Sequence, residues 1–225
     1  MADNSDNHSI IFQNKGKTAT SVTLTGRTLY KDGKWNTLCL PFAVSTTSGP
    51  LSGDNVQAMT LNTTTSSFSE GTLTLNFAAA SGPIPAGTPF IIKWDESGSD
   101  LTASDLVFND VTISSTTNNA IVDDVVSFVG TYSPMTFVET VKSILFLGGD
   151  NTLYYPQPDT TTDPGNPVYP VIGAQRAYFQ LNGITAGEAS NDIRAFVLNF
   201  DGRRMSAKPT AKGLYIYKGR KTIIK

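Results

Sequence analysis

The sequence predicts an all-β fold: an antiparallel β-sandwich of jelly-roll or Ig-like type with a C-terminal β-hairpin. Three observations predict it. Short apolar runs rich in Val, Ile, Phe and Thr recur along most of the chain, separated by turns of Gly, Pro, Asn and Ser. No stretch carries the 3.6-residue apolar period of a long amphipathic helix. Hydrophobic residues make up 39% and charged residues 16% of the chain, which is too apolar and too evenly punctuated for disorder and has the polar balance of a secreted β protein. With 225 residues, the chain can bury the core of one large β domain or two small ones.

Residues 1–20 read as a polar lead-in, a strand or linker with one short apolar run at Ile10-Ile11-Phe12. Met1-Ala2-Asp3-Asn4 has the look of an initiator methionine ahead of an excised segment, any export signal having been removed or lying upstream. The body is expected to span residues 21–200. Val22 and Leu24 alternate with threonines, the period of a half-buried strand, and Gly26 bends the chain onward. From Leu29 to Phe42 the chain is organised around Asp32-Gly33, which predicts a tight type I′ hairpin between apolar flanks. In its second strand Asn36, Leu38, Leu40 and Phe42 share one face and Trp35, Thr37, Cys39 and Pro41 the other. Both faces are largely apolar, so that strand should be covered on both sides.

Further strands are expected at 56–61, 72–77, 90–94, 106–113, 125–132, 144–147, 152–155, 177–181 and 194–200, with Phe68 between the first two. Residues 138–147 have room for a turn or two of helix. Residues 95–104 form an acidic, Gly-containing loop. The longest irregular stretch lies between Pro156 and Pro170, where prolines exclude a ladder strand and predict a surface excursion. Residues 201–225 then form a basic tail: Leu214 to Tyr217, a turn around Gly219, and Thr222 to Ile224 make a hairpin. Such a two-stranded unit is marginal alone in water, so it must dock, stay mobile or be held by another protein.

Charge is segregated along the chain. Residues 1–200 hold nine basic and eighteen acidic side chains, a net of −9; residues 201–225 hold eight basic and one acidic, a net of +7. The two segments should attract each other or serve different readers.

The residue inventory excludes several chemistries. Cys39 is the only cysteine, so no internal disulfide is possible, and its apolar strand makes it a small buried hydrophobe. His8 is the only histidine, which leaves no Ser-His-Asp or Cys-His system and no His-rich zinc site within the chain. No Gly-rich phosphate loop is present. The acidic body opposes nucleic-acid binding, and no apolar window is long enough for a membrane-spanning helix. Asp123-Asp124, Asp95-Glu96 and Asp105 with Asp110 are acid pairs of the type a glycosidase uses, but they read as turn acids. Asp95, Glu96 and Asp100 resemble calcium ligands in type and not in spacing, so they read as a solvated loop. No catalytic residue, metal ligand or cofactor is assigned, and the chain is expected not to be an enzyme. Trp35 and Trp94 read as core. Tyr154, Tyr155 and Tyr169 flank the Pro-rich loop and, with Arg176, form the candidate ligand platform, because flat rings stack on sugar faces.

The tail resembles a known pattern. Asp201-Gly202-Arg203-Arg204, Lys208-Pro209-Thr210, Lys212-Gly213-Leu214-Tyr215-Ile216, Gly219-Arg220-Lys221 and the terminal Lys225 are similar to the last motif of the type IX secretion sorting signal of Bacteroidota. Residues 28–42, 86–93, 151–156 and 176–179 resemble segments of the terminal module of large Prevotella and Bacteroides surface proteins. The resemblance implies a secreted or cell-surface module at the outer-membrane exterior, with no established activity, that anchors, presents or adheres. It implies export machinery or the cell envelope as partner, reading Lys212, Gly213, Tyr215, Gly219, Lys221 and Lys225. Two alternatives stand beside it: a carbohydrate-binding module of a polysaccharide-degrading system, and a structural subunit that assembles with copies of itself by strand addition.

Overall fold

A computed structural model describes the chain except residues 54, 70–71, 96–97, 150, 161–164, 183–194, 200–212, 218–219 and 225. One short helix, α1 (His8–Gln13), precedes seventeen described strands. The first nine are β1 (Thr18–Thr23), β2 (Asn36–Leu38), β3 (Gln57–Leu61), β4 (Ser67–Ser69), β5 (Thr72–Ala79), β6 (Phe90–Lys93), β7 (Val107–Thr112), β8 (Ala120–Val122) and β9 (Val126–Thr131). Then come β10 (Met135–Thr136), β11 (Ile144–Leu147), β12 (Leu153–Tyr154), β13 (Val171–Ile172), β14 (Arg176–Leu181), β15 (Ala195–Asn199), β16 (Gly213–Tyr217) and β17 (Arg220–Ile224). The molecule is nearly all β, as the sequence predicts.

Two sheets form the body. The larger runs β15-β5-β3-β6-β2, with β4 also on β5, and the smaller runs β12-β11-β14-β9-β8. Strand β5 shows why they stack: its burial alternates residue by residue, with Leu73, Leu75 and Phe77 turned inward. These three, together with Met59, Leu61 and Ile91, meet Val126, Phe128, Leu145, Ala177, Phe179 and Leu181 of the smaller sheet. Phe128 and Phe179 stack at 4.6 Å, and Phe77 meets both rings edge-on.

The opposite face of the larger sheet is covered as well. Leu38, Ala58, Phe90 and Ile92 pack on Leu24, Leu40, Phe42, Leu106 and Phe108, beneath the antiparallel ribbon of β1 and β7. The strand after the Asp32-Gly33 turn, expected at the centre of a sheet, lies at the edge of this one, yet it is covered on both sides, Leu38 joining this layer and Trp35 the layer between the two sheets. Trp35 and Trp94 are both buried.

The Asp32-Gly33 turn forms differently from the predicted hairpin. Gly33 takes a positive φ of 76°, but Asp32 does not have the left-handed conformation a type I′ turn requires. Its flanks pair elsewhere: β2 with β6, and Leu29 with Leu101 through bonds of 2.9 and 3.0 Å. The Asn36 carboxamide closes the loop instead. It accepts from Tyr30 N–H at 3.0 Å and donates to Tyr30 C=O at 2.9 Å, taking the place of a strand partner.

β2 is an edge strand whose outward backbone groups are capped. Trp35 N–H donates to Asn151 Oδ1 at 2.9 Å, Thr37 C=O accepts from Arg27 at 2.9 Å, and Cys39 N–H donates to Gln175 C=O at 3.3 Å. Such capping blocks the edge-to-edge pairing that an open strand invites. At the other end of this sheet, β15 lies parallel to β5, the one parallel ladder among the described strands.

The first twenty residues belong to the packed body. Residues 8–13 are helical, and Ile11 is buried while Ile10 and Phe12 face solvent. Asn7 is buried and bonds Ala2, Ser5 and Tyr132, and Asp3 pairs with Arg176 at 3.1 Å. Residues 138–147 hold no helix; they lead into β11 and include it.

Candidate functional site

The Pro-rich excursion is tied down at three points. Asp159 and Val168 exchange bonds of 2.8 and 2.9 Å, Val141 N–H donates to Pro156 C=O at 3.0 Å, and Phe137 N–H to Pro170 C=O at 3.2 Å. Beside it β10 pairs with β13, Met135 opposite Ile172 and Thr136 opposite Val171. Continuing that register sets Val138 opposite Tyr169. Alternation then sorts the ribbon: Phe137 and Ile172 are buried, while Val138, Tyr169 and Val171 are 70%, 41% and 59% exposed. The inward residues join Ile144, with Met135, Val141, Phe146 and Tyr178 packed around them. The outward ones form an apolar ridge. An open depression of about 560 Å³ lies close by along the chain, lined among the described residues by Thr140, Gln157, Pro158, Asp159 and Thr160.

The predicted platform residues occupy different surroundings. Tyr154 is 43% exposed on β12, its ring 6.0 Å from Phe146. Tyr155 is half-buried against the core between the two sheets, and burial pushes its phenol up. Tyr169 stands on the ridge. Arg176 lies on β14 and gives a terminal nitrogen to Asp3 Oδ2. Neighbouring positions on an extended chain point to opposite sides, which separates Tyr154 from Tyr155. Val138 and Val171 complete the ridge around Tyr169 and had a readable signal, the inward-outward alternation of Met135-Thr136-Phe137-Val138.

The other chemical groups are accounted for locally. His8 is exposed with Nδ1 2.6 Å from Asp6 Oδ1, and hydrogen bonds from His8 hold the Asp6 carboxyl below its usual range. Cys39 is fully buried against Gly130, and burial raises its thiol to about 11, which keeps it protonated at neutral pH. Tyr132, 3.8 Å from that sulfur, is likewise pushed up by burial. Asp123 and Asp124 have positive φ values of 48° and 55° in a turn where Asp123 accepts from Phe68 N–H. Asp105 accepts from Thr102 N–H at 2.8 Å, which lowers its carboxyl. Asp100 accepts from Lys31 N–H, and Glu96 lies outside the described residues. Among the described residues no group of three or more His, Cys, Asp or Glu side chains is placed to hold a metal ion. No described helix is long and apolar enough to cross a membrane.

The C-terminal hairpin forms as an antiparallel pair from Gly213↔Ile224 to Tyr217↔Arg220, with Tyr215 opposite Thr222 and Ile216 opposite Lys221. It is a sheet of its own, bonded to neither body sheet among the described strands. Of the sorting-like residues, Gly213, Tyr215 and Lys221 lie on its strands, whereas Lys212, Gly219 and Lys225 fall outside the described residues. No family model, curated protein or solved structure matches this chain.

Proposed function

We propose that this chain is a non-catalytic β module of an exported or cell-surface protein, whose body anchors or presents and whose basic C-terminal hairpin is read by export or envelope machinery. The observation that carries this reading is the separateness of the hairpin. Its strands pair with each other and, among the described strands, with neither body sheet, so the described ladder order of the body does not depend on it. Its charge is opposite to that of the body, with eight basic residues and one acidic residue in the last twenty-five. A short, strongly basic, self-paired ribbon offers a separate protein a recognisable element without disturbing the core. The test is surface labelling in a bacterium that carries type IX machinery. Deleting residues 201–225 should abolish labelling, and Lys221→Glu should reduce it; labelling that survives the deletion removes this reading.

A second reading is favoured by the ridge and its neighbouring depression. Tyr169 offers a flat ring, Val138 and Val171 extend the apolar face, and Thr140, Gln157 and Asp159 supply polar groups. That combination suits a glycan, which presents apolar C–H faces rimmed by hydroxyls. Glycan-array binding by the full chain that drops on Tyr169→Ala would support it, and unchanged binding would exclude it.

A further inference from the structure

A group of polar side chains without sufficient partners lies beneath the β2 edge. Arg27 is 3% exposed, its Nη2 donates to Thr37 C=O at 2.9 Å, and its Nε is buried with no acceptor. Arg176 donates Nη2 to Asp3 Oδ2 at 3.1 Å, and its Nε is also buried without an acceptor. Immediately before it, Gln175 is fully buried in a left-handed conformation with φ of 55°, and neither end of its amide has a partner. Backbone bonds draw these groups into one neighbourhood. Asp3 N–H donates to Thr25 C=O at 2.9 Å, Ala174 N–H to Asp3 C=O at 2.7 Å, and Cys39 N–H to Gln175 C=O at 3.3 Å. Burial first, and then repulsion from Arg176, pull the Arg27 guanidinium down to about 9.

The charges do not balance. Two guanidiniums share one carboxylate, and Arg27 has no ion pair among the described residues. A buried cation without an ion pair is costly, and a buried amide with no protein partner calls for an ordered water or ion. We propose that Arg27, Gln175 and Arg176 form an internal site for one small monovalent anion, bound together with a water. The anion accepts from Arg27 Nε, Arg176 Nε and Gln175 Nε2, and it cancels the surplus charge. The water donates to Asp3 Oδ1 and Gln175 Oε1, the two acceptors left over. A Cβ at Gly173 would overlap the Asp3 carboxylate, so that carboxylate is seated against the chain two residues before Gln175. Occupancy of the site would join the amino-terminal residues to the capped edge of the larger sheet.

Two measurements on the intact chain test the site. At equal ionic strength, thermal midpoints in sodium chloride and sodium bromide should exceed that in sodium gluconate by about 4 °C, the shift expected for a ligand present at several times its Kd. Arg27→Gln should lose that increment, and the exposed-surface control Lys15→Gln should keep it. Crystals grown in bromide should show an anomalous peak within hydrogen-bond reach of Arg27 Nε and Arg176 Nε; this arm needs no variant to fold. A site holding water alone, or wild-type midpoints that do not distinguish halide from gluconate, would overturn the proposal.

Discussion

The two faces of the larger sheet are built on different principles. Toward the smaller sheet, regular strands interlock Phe77, Phe128 and Phe179 in a layer of fully buried rings. Toward the β1–β7 ribbon, Leu24, Leu29, Leu40 and Phe42 come largely from segments outside the ladders, and buried polar residues such as Asn7 and Arg27 hold the elements together. Both faces are packed with apolar side chains, and the second adds specific hydrogen bonds from buried polar residues.

Substitutions sharpen this contrast. Phe128→Ala removes the ring that stacks on Phe179 and should cost about 3–5 kcal/mol in urea unfolding. Gly130→Ala should cost about 1–3 kcal/mol, because the new Cβ would overlap Cys39 Sγ. Adding Cys39→Gly should recover part of that loss, and a double-mutant cycle measures the coupling. Asn36→Ala deletes both bonds to Tyr30 and should cost about 1 kcal/mol, since the exposed Tyr30 can turn to water. Tyr169→Ala, on the outward ridge, should change stability by less than about 0.5 kcal/mol, so that any loss of glycan binding is a loss of contact. If Asn36→Ala were as damaging as Phe128→Ala, the contrast between the two faces would fail.

Much of the first face was legible in the sequence, because a strand buried on one side alternates, and 72–77 does so without a break. The two-sided coverage of residues 35–42 was legible from the opposite pattern, apolar residues on both faces, but their place at the sheet edge was not. Asp32-Gly33 misled because turn propensity is local, whereas the pairing of its flanks with β6 and Leu101 is decided by the packed core. The helix at His8–Gln13 is too short to show a period. The second face was the least legible. Nothing in the sequence marks Arg27 or Gln175 as buried, since composition makes both surface residues and only tertiary contacts place them under a sheet edge. At the candidate ligand site, Tyr169 was legible from loop placement. Tyr155 and Arg176 were drawn away from it by strand alternation and by Asp3.

The most direct test of the central claim is the thermal midpoint of a chain ending at Phe200. If the hairpin is an element for another protein to read, the shortened body should melt cooperatively within about 2 °C of the full chain, as a surface change does. A drop of about 10 °C or more, or loss of cooperative melting, would mean that the basic ribbon is part of what holds the body together.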